Sequence, residues 1–322
     1  MKTLFLGSYG FGNLGDELCL IEAMNAFPST EAWAFTNDPD LTARWVPNLK
    51  GFIRKRAEVE ALKPDRVVLG GGGVGFFPSI RDSLHWMDDA FRLGAECHIH
   101  NIGVSWMDDL SWTKAIEVQR VLGGLASCSV RDDMSRFCIQ SWPAELRVKI
   151  TYYPERLLPL DGSLEISFPA GRKLLGVSIT GQKLMGLALA RNKATMSAVL
   201  DGYRDYAVVP IVSTVSATDN EEDDIAGFNG FKDLFLSGFD IAGEEFLNRS
   251  WWRNSLTPLR LKSVIGGLDT LITQRKHNLI HAIGTQTHAI GVFPAIDDSI
   301  ARIFFTLRDK MPLRSYQVAL ST

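Results

Sequence analysis

The sequence predicts an α/β protein of two Rossmann-like domains with a cleft between them. Apolar runs of strand length recur along the chain with helical patterns between them, and such alternation builds parallel, doubly wound sheets. The segment from Pro154 to Lys173, with three prolines and two glycines, has no period and splits the series in two. With 322 residues, 46% of them hydrophobic, the chain can fill two cores.

In the first half, strands are predicted over Thr3 to Gly7, Ala32 to Phe35, Arg66 to Leu69, Cys97 to Val104, Ser127 to Val130 and Val148 to Tyr152. Helices fill the gaps, as over Leu14 to Phe27 and Trp112 to Leu122. The second series runs over Leu174 to Ile179, Ala207 to Val212, Leu268 to Ile272 and Gly291 to Ala295. The domains are therefore read as 1–155 and 174–322, joined by a linker over 156–173.

A net charge of −3 with dispersed lysines and arginines argues against a nucleic-acid partner; Arg54-Lys55-Arg56 is the one basic cluster. No apolar run reaches the roughly 18 residues of a membrane span. Met1 to Gly7 reads as a first strand, since its apolar stretch is too short for a signal peptide. Cys19, Cys97, Cys128 and Cys138 have no C-x-x-C spacing and read as free thiols, buried in the first three cases, in a reducing cytoplasmic compartment. The acidic run Asp219 to Asp224 reads as a solvated loop or helix start.

The most informative segment is Thr273 to Ala282, where an apolar strand hands over to an apolar helix. The carboxyl edge of a parallel strand is where ligands sit, and a helix N-terminus there attracts anions. Arg275 can fork onto a carboxylate or phosphate, Lys276 adds a second cation, and His277 can move a proton near neutral pH. His277 and His281 have the i, i+4 spacing of metal ligands, yet nothing nearby completes a set, so no metal is predicted.

Three other strand ends carry candidate residues. After the first strand, Gly12, Asn13, Gly15, Asp16 and Glu17 open a helix, where they can cap it or meet sugar hydroxyls. Gly70 to Phe76 formally contains G-x-G-x-x-G, but Phe76-Phe77-Pro78 interrupts the helix a dinucleotide site needs. Gly71, Gly72 and Phe76 are read instead as cleft-lining residues. Arg131, in Arg131-Asp132-Asp133-Met134-Ser135, lies at a strand end as an anion clamp or a local ion-pair partner. Trp251-Trp252-Arg253 could stack on a sugar or form a packing patch, and His98 and His100 read as structural.

In order along the chain, Gly12-Asn13-Leu14-Gly15-Asp16-Glu17, the Gly70 to Phe76 segment, Arg131-Asp132-x-x-Ser135 and Arg275-x-His277 resemble the polysaccharide pyruvyl transferases. That family's late motif typically reads Arg-Leu-His-Ala-x-Ile-x-Ala followed by Gly-x-Pro. Here Lys276 replaces the leucine, and Tyr153 precedes Pro154 where relatives often have aspartate.

The resemblance implies a glycosyltransferase-B-like fold and transfer of pyruvate from phosphoenolpyruvate to a sugar, giving a cyclic ketal. It implies phosphoenolpyruvate contacts at Arg131, Arg275 and Lys276, and a catalytic His277. Phosphoenolpyruvate would be a substrate, with no cofactor. The acceptor would be a sugar of a polysaccharide or its precursor; a lipid-linked one would bring the enzyme to the inner face of the membrane. Two other readings are a nucleotide-sugar-dependent glycosyltransferase of the same architecture and a non-catalytic subunit of a polysaccharide-synthesis complex.

Overall fold

The computed structural model describes residues 1–142, 144–163, 166, 168–216, 222–297 and 299–322. It divides into two compact units, Met1–Phe11 with Gly15–Glu155, and Gly12–Leu14 with Arg156–Thr322.

The N-terminal unit runs β1 (Lys2–Leu6), α1 (Leu14–Ala26), β2 (Glu31–Phe35), α2 (Pro39–Trp45), β3 (Gly51–Ile53), α3 (Ala57–Leu62), β4 (Arg66–Gly70), α4 (Ser79–Arg92), β5 (Glu96–Ile102), α5 (Ile116–Gly123), β6 (Ser127–Val130), α6 (Asp133–Gln140) and β7 (Val148–Ile150). Its parallel sheet has the order β3-β2-β1-β4-β5-β6-β7.

The C-terminal unit runs β8 (Leu174–Ser178), α7 (Lys183–Arg191), α8 (Lys193–Asp201), β9 (Ala207–Pro210), α9 (Asp224–Phe235), β10 (Asp240–Ile241), α10 (Arg249–Ser255), α11 (Pro258–Gly266), β11 (Thr270–Thr273), α12 (Lys276–Thr285), β12 (His288–Pro294), α13 (Ser299–Leu307) and β13 (Tyr316–Leu320). The order is β10-β9-β8-β11-β12-β13, again parallel throughout.

In both sheets the strand order reverses beside the unit's first strand, between β1 and β4 and between β8 and β11. That reversal opens a crevice beyond the carboxyl ends of the two strands, the usual ligand position in open α/β sheets. β4, β8 and β11 are buried along their whole length, which explains their unbroken apolar runs.

The strands missed from sequence lie towards the sheet edges. β3 and β10 are three and two residues long, too short to show a period, and β13 is largely exposed at the margin. The predicted helix over Trp112 to Leu122 is broken: Ser111–Lys114 forms a 3-10 turn, and Ala115 takes an extended ψ of 138° before α5.

The first part of the predicted linker is packed structure. Lys262 of α11 is buried and donates to the carbonyls of Arg156 (2.7 Å) and Leu158. Residues 164, 165 and 167 of that segment lie outside the described residues. The acidic run does start a helix, but Asp223 and Asp224 are buried, so the solvated reading fails for them; 219–221 lie outside the described residues. All four cysteines are buried and free. No described helix is long and apolar enough to cross a membrane.

Candidate active site

In the N-terminal unit, the loops after β1, β4, β5 and β6 carry the predicted residues. Gly71, at φ +70°, lies so tightly on α1 that a side chain would strike Cys19. Gly72, at φ +77°, faces the Asp16 carboxylate, and a side chain at Gly75 would collide with Gly103 and Val104. These glycines therefore serve close packing of one strand end on α1 and on the neighbouring strand end. Gly73 alone has open space around it. Phe76 is exposed at the loop's end.

Glu17 is turned inward and fully buried. Its Oε1 accepts from the Gly10 N–H (2.6 Å) and the Thr42 hydroxyl (3.3 Å), while Oε2 has no partner. Burial pushes its carboxyl up to about 8, with Asp16 and Asp38 adding to the shift and the two hydrogen bonds opposing it. This carboxyl is closed off from solvent, whereas Asp16 stays partly exposed. Gly15 is buried at the helix start.

Arg131 is 7% exposed, and its guanidinium lies flat against Gly103, where any Cβ would clash with it. The nearest carboxylate oxygen, Asp132 Oδ2, is 3.8 Å from Nε, beyond hydrogen-bond range. Nε has no acceptor, and the guanidinium carbon stands 5.5 Å from the centre of the Tyr153 ring. Asp132 is committed elsewhere: Oδ1 caps α6 through the Ser135 N–H (2.6 Å), and Oδ2 accepts from the Tyr153 hydroxyl (2.9 Å). Burial works against the charged guanidinium, and Tyr153, Asp132 and Glu155 outweigh it, raising its pKa.

The backbone around Arg131 is strained. Asn101, Tyr152 and Tyr153 hold φ of +50°, +52° and +57°, each a cost of about 1 kcal/mol or more in a non-glycine residue. A bulge interrupts the β5–β6 pairing between Ile99 and Ile102. Asn101 uses its unusual position to donate to buried Glu155 (2.9 Å) and accept from Thr151 (2.9 Å). Sequence reading did not single out Gly103, Asn101 or Glu155.

In the C-terminal unit, Arg275 is the N-cap residue of α12, with its backbone N–H on the Thr273 hydroxyl (2.9 Å). Each of its three side-chain nitrogens is engaged. Nε donates to Asp224 (2.7 Å), Nη1 to the Glu222 carboxylate (2.8 Å) and Nη2 to the Glu222 carbonyl (2.8 Å). Burial would lower the Arg275 pKa, but Asp224 and Glu222 raise it on balance. Asp224 also accepts from Ser213 N–H (2.9 Å), Ser213 Oγ–H (2.9 Å) and Thr214 N–H (3.0 Å). Arg275 is thus an internally matched cation, where the sequence alone suggested an open clamp.

Lys276 and His277 fill the first turn of α12, the lysine exposed and the histidine half-buried. Asn278 behind them is fully buried and donates to Ser178 (2.8 Å) and Ser213 (3.2 Å), while its Oδ1 has no acceptor bond. Gln274 accepts from the Thr180 hydroxyl (3.0 Å), tying the ends of β8 and β11 together at the strand-order reversal. Gly12 and Asn13 are counted with this unit: Gly12 accepts from Val215 N–H (3.0 Å), and Asn13 bridges Thr214. His281 is fully buried with no partner on either ring nitrogen. Trp252 is buried on Val212, and Trp251 packs on Phe246, the packing alternative foreseen for that pair.

No protein-family model matches the chain, and no curated protein matches it. Solved structures do match. S. aureus MnaA with UDP gives a TM-score of 0.53 at 10% identity, covering 90% of this chain and 79% of that one. UDP-GlcNAc 2-epimerase from Methanocaldococcus jannaschii gives 0.52 at 12% identity, covering 90% and 82%. UDP-GlcNAc 2-epimerase from Neisseria meningitidis, bound to UDP-GlcNAc, gives 0.52 at 11% identity, again covering 90% and 82%. The fold is glycosyltransferase-B-like. At these identities the likeness is one of architecture: two parallel-sheet α/β domains.

Proposed function

We propose that this protein is a sugar-modifying enzyme that transfers pyruvate from phosphoenolpyruvate to a sugar, forming a cyclic ketal. The observation that carries the reading is Arg131, a buried guanidinium whose Nε lacks an acceptor. A buried guanidinium N–H without an acceptor is costly, and a phosphate or carboxylate oxygen would supply one. In the C-terminal unit taken by itself, Lys276 and the first turn of α12, where helix N–H groups favour negative charge, form a further candidate anion site. Arg275 could join only by releasing an acidic partner. Glu222, with its side chain 46% exposed, is the one it would exchange; Asp224 at 0% would stay.

The enol methylene of phosphoenolpyruvate takes up a proton. One sugar hydroxyl attacks the central carbon and loses its proton. A second hydroxyl then displaces phosphate from that carbon and gives up its proton to the departing phosphate, leaving the ketal and inorganic phosphate. His277 is assigned the proton transfer, a contribution of about 10²–10⁴-fold.

A second reading is a nucleotide-sugar-dependent enzyme, favoured by the UDP and UDP-GlcNAc bound in similar structures. The two donors are told apart by incubating the protein with phosphoenolpyruvate, or with UDP-sugars, and a saccharide panel. Pyruvyl transfer yields inorganic phosphate and an acceptor heavier by pyruvate less one water, and His277→Ala removes both signals. Release of UDP with no phosphate from phosphoenolpyruvate would establish the second reading.

A further inference from the structure

The N-terminal unit holds a pocket of about 440 Å³ beside the carboxyl ends of β1 and β2, built largely on one face of α4. Ser79, Asp82, Ser83 and Trp86 line it at helical spacings of three and four, so they form a single stripe. A second stripe about a third of a turn away, Ile80, Leu84 and Met87, enters the core. α4 therefore presents serine, carboxylate and indole to a concavity where an ordinary surface helix presents charge to water.

Trp86 packs edge-on against Phe35, ring centres 4.9 Å apart at 80°. Phe11 and Phe76 are about half exposed at the same pocket. Arg56 is held in its wall by a two-pronged contact to Asp89, with Nη2 to Oδ1 at 2.7 Å. Among the described residues, the side chains of Ser8, Ser83 and His85 in this pocket have no protein hydrogen-bond partner.

We infer that this pocket binds a neutral pyranose, and that it is the acceptor subsite of the transferase proposed above, on which that assignment rests. Aromatic faces match the apolar C–H face of a sugar ring. Asp82, whose Oδ1 accepts from Arg81 (2.9 Å), can accept from a sugar hydroxyl through Oδ2, and the serines and His85 can exchange hydrogen bonds with the rest. With Arg56 neutralised by Asp89, the pocket has little net attraction for an anion, which separates it from the donor site at Arg131.

The test is saturation-transfer-difference NMR on the whole chain without donor, using the methyl pyranosides of glucose, galactose, mannose and N-acetylglucosamine. At least one should show saturation, strongest on the C–H protons of one ring face. Phe76→Ala and Asp82→Ala, both at exposed positions, should each reduce it severalfold while the thermal shift with phosphoenolpyruvate persists. No saturation from any pyranoside, saturation that survives both substitutions, or displacement by equimolar uridine would each overturn the assignment. Sugar binding intact without a phosphoenolpyruvate shift would defeat the donor reading alone, and the reverse would defeat the pocket alone.

Discussion

Glu17 makes the N-terminal unit's stability depend on pH in an unusual direction. Its carboxyl is pushed from an ordinary 4.5 to about 8 by burial, so the native state holds a proton that the unfolded chain releases between those values. Stability rises with pH only where the unfolded state binds more protons; here the native state binds more, so stability is lost as pH rises from 4.5 through 8. At 1.36 kcal/mol per pH unit, the loss by pH 7 is on the order of 3 kcal/mol. Glu17→Gln keeps an oxygen for the Gly10 N–H and Thr42 and cannot ionise. Urea denaturation from pH 5 to 8 should show the wild-type N-terminal transition weakening with pH and the Gln variant gaining on it steadily. Parallel pH profiles for the two proteins would refute the reasoning and mean that the carboxylate is solvated or paired.

The C-terminal unit should respond in the opposite sense. Burial, aided by the Lys262 charge, depresses the His281 pKa to about 3, so stability falls as pH drops below 6.5, by about 2 kcal/mol at pH 5. His281→Leu should abolish that loss in acid denaturation of the C-terminal transition. Gly103→Ala should push the Arg131 guanidinium off its seat, costing about 1–3 kcal/mol of overpacking and most of the anion response, read by thermal shift with phosphoenolpyruvate. Asp224→Asn leaves Arg275 without its buried partner and should destabilise the C-terminal unit by about 3–5 kcal/mol in urea denaturation.

The parallel architecture was legible because the central strands, buried on both faces, read as unbroken apolar runs. The edge strands were not, since Gly51–Ile53 and Asp240–Ile241 are shorter than any period. The glycine run after β4 announced a special backbone, but only the fold shows that its glycines make room for Cys19, Asp16 and Gly103. The inward turn of Glu17 depends on the left-handed bend at Gly10 and on Thr42, contacts that helix-start chemistry does not predict. The acidic partners of Arg275 come from residues about fifty positions away, a pairing no local pattern encodes. The α4 stripe, by contrast, can be read from spacing once the helix is located.

The role proposed for Arg131 is to hold the anion of phosphoenolpyruvate. It is tested most directly by thermal shifts of wild type and Arg131→Ala with phosphoenolpyruvate, with UDP and UDP-GlcNAc in parallel. At 100 times the dissociation constant, phosphoenolpyruvate should stabilise the wild type by about 2.7 kcal/mol and leave the variant unmoved. A shift with UDP or UDP-GlcNAc alone, or an equal phosphoenolpyruvate shift in Arg131→Ala, would contradict it.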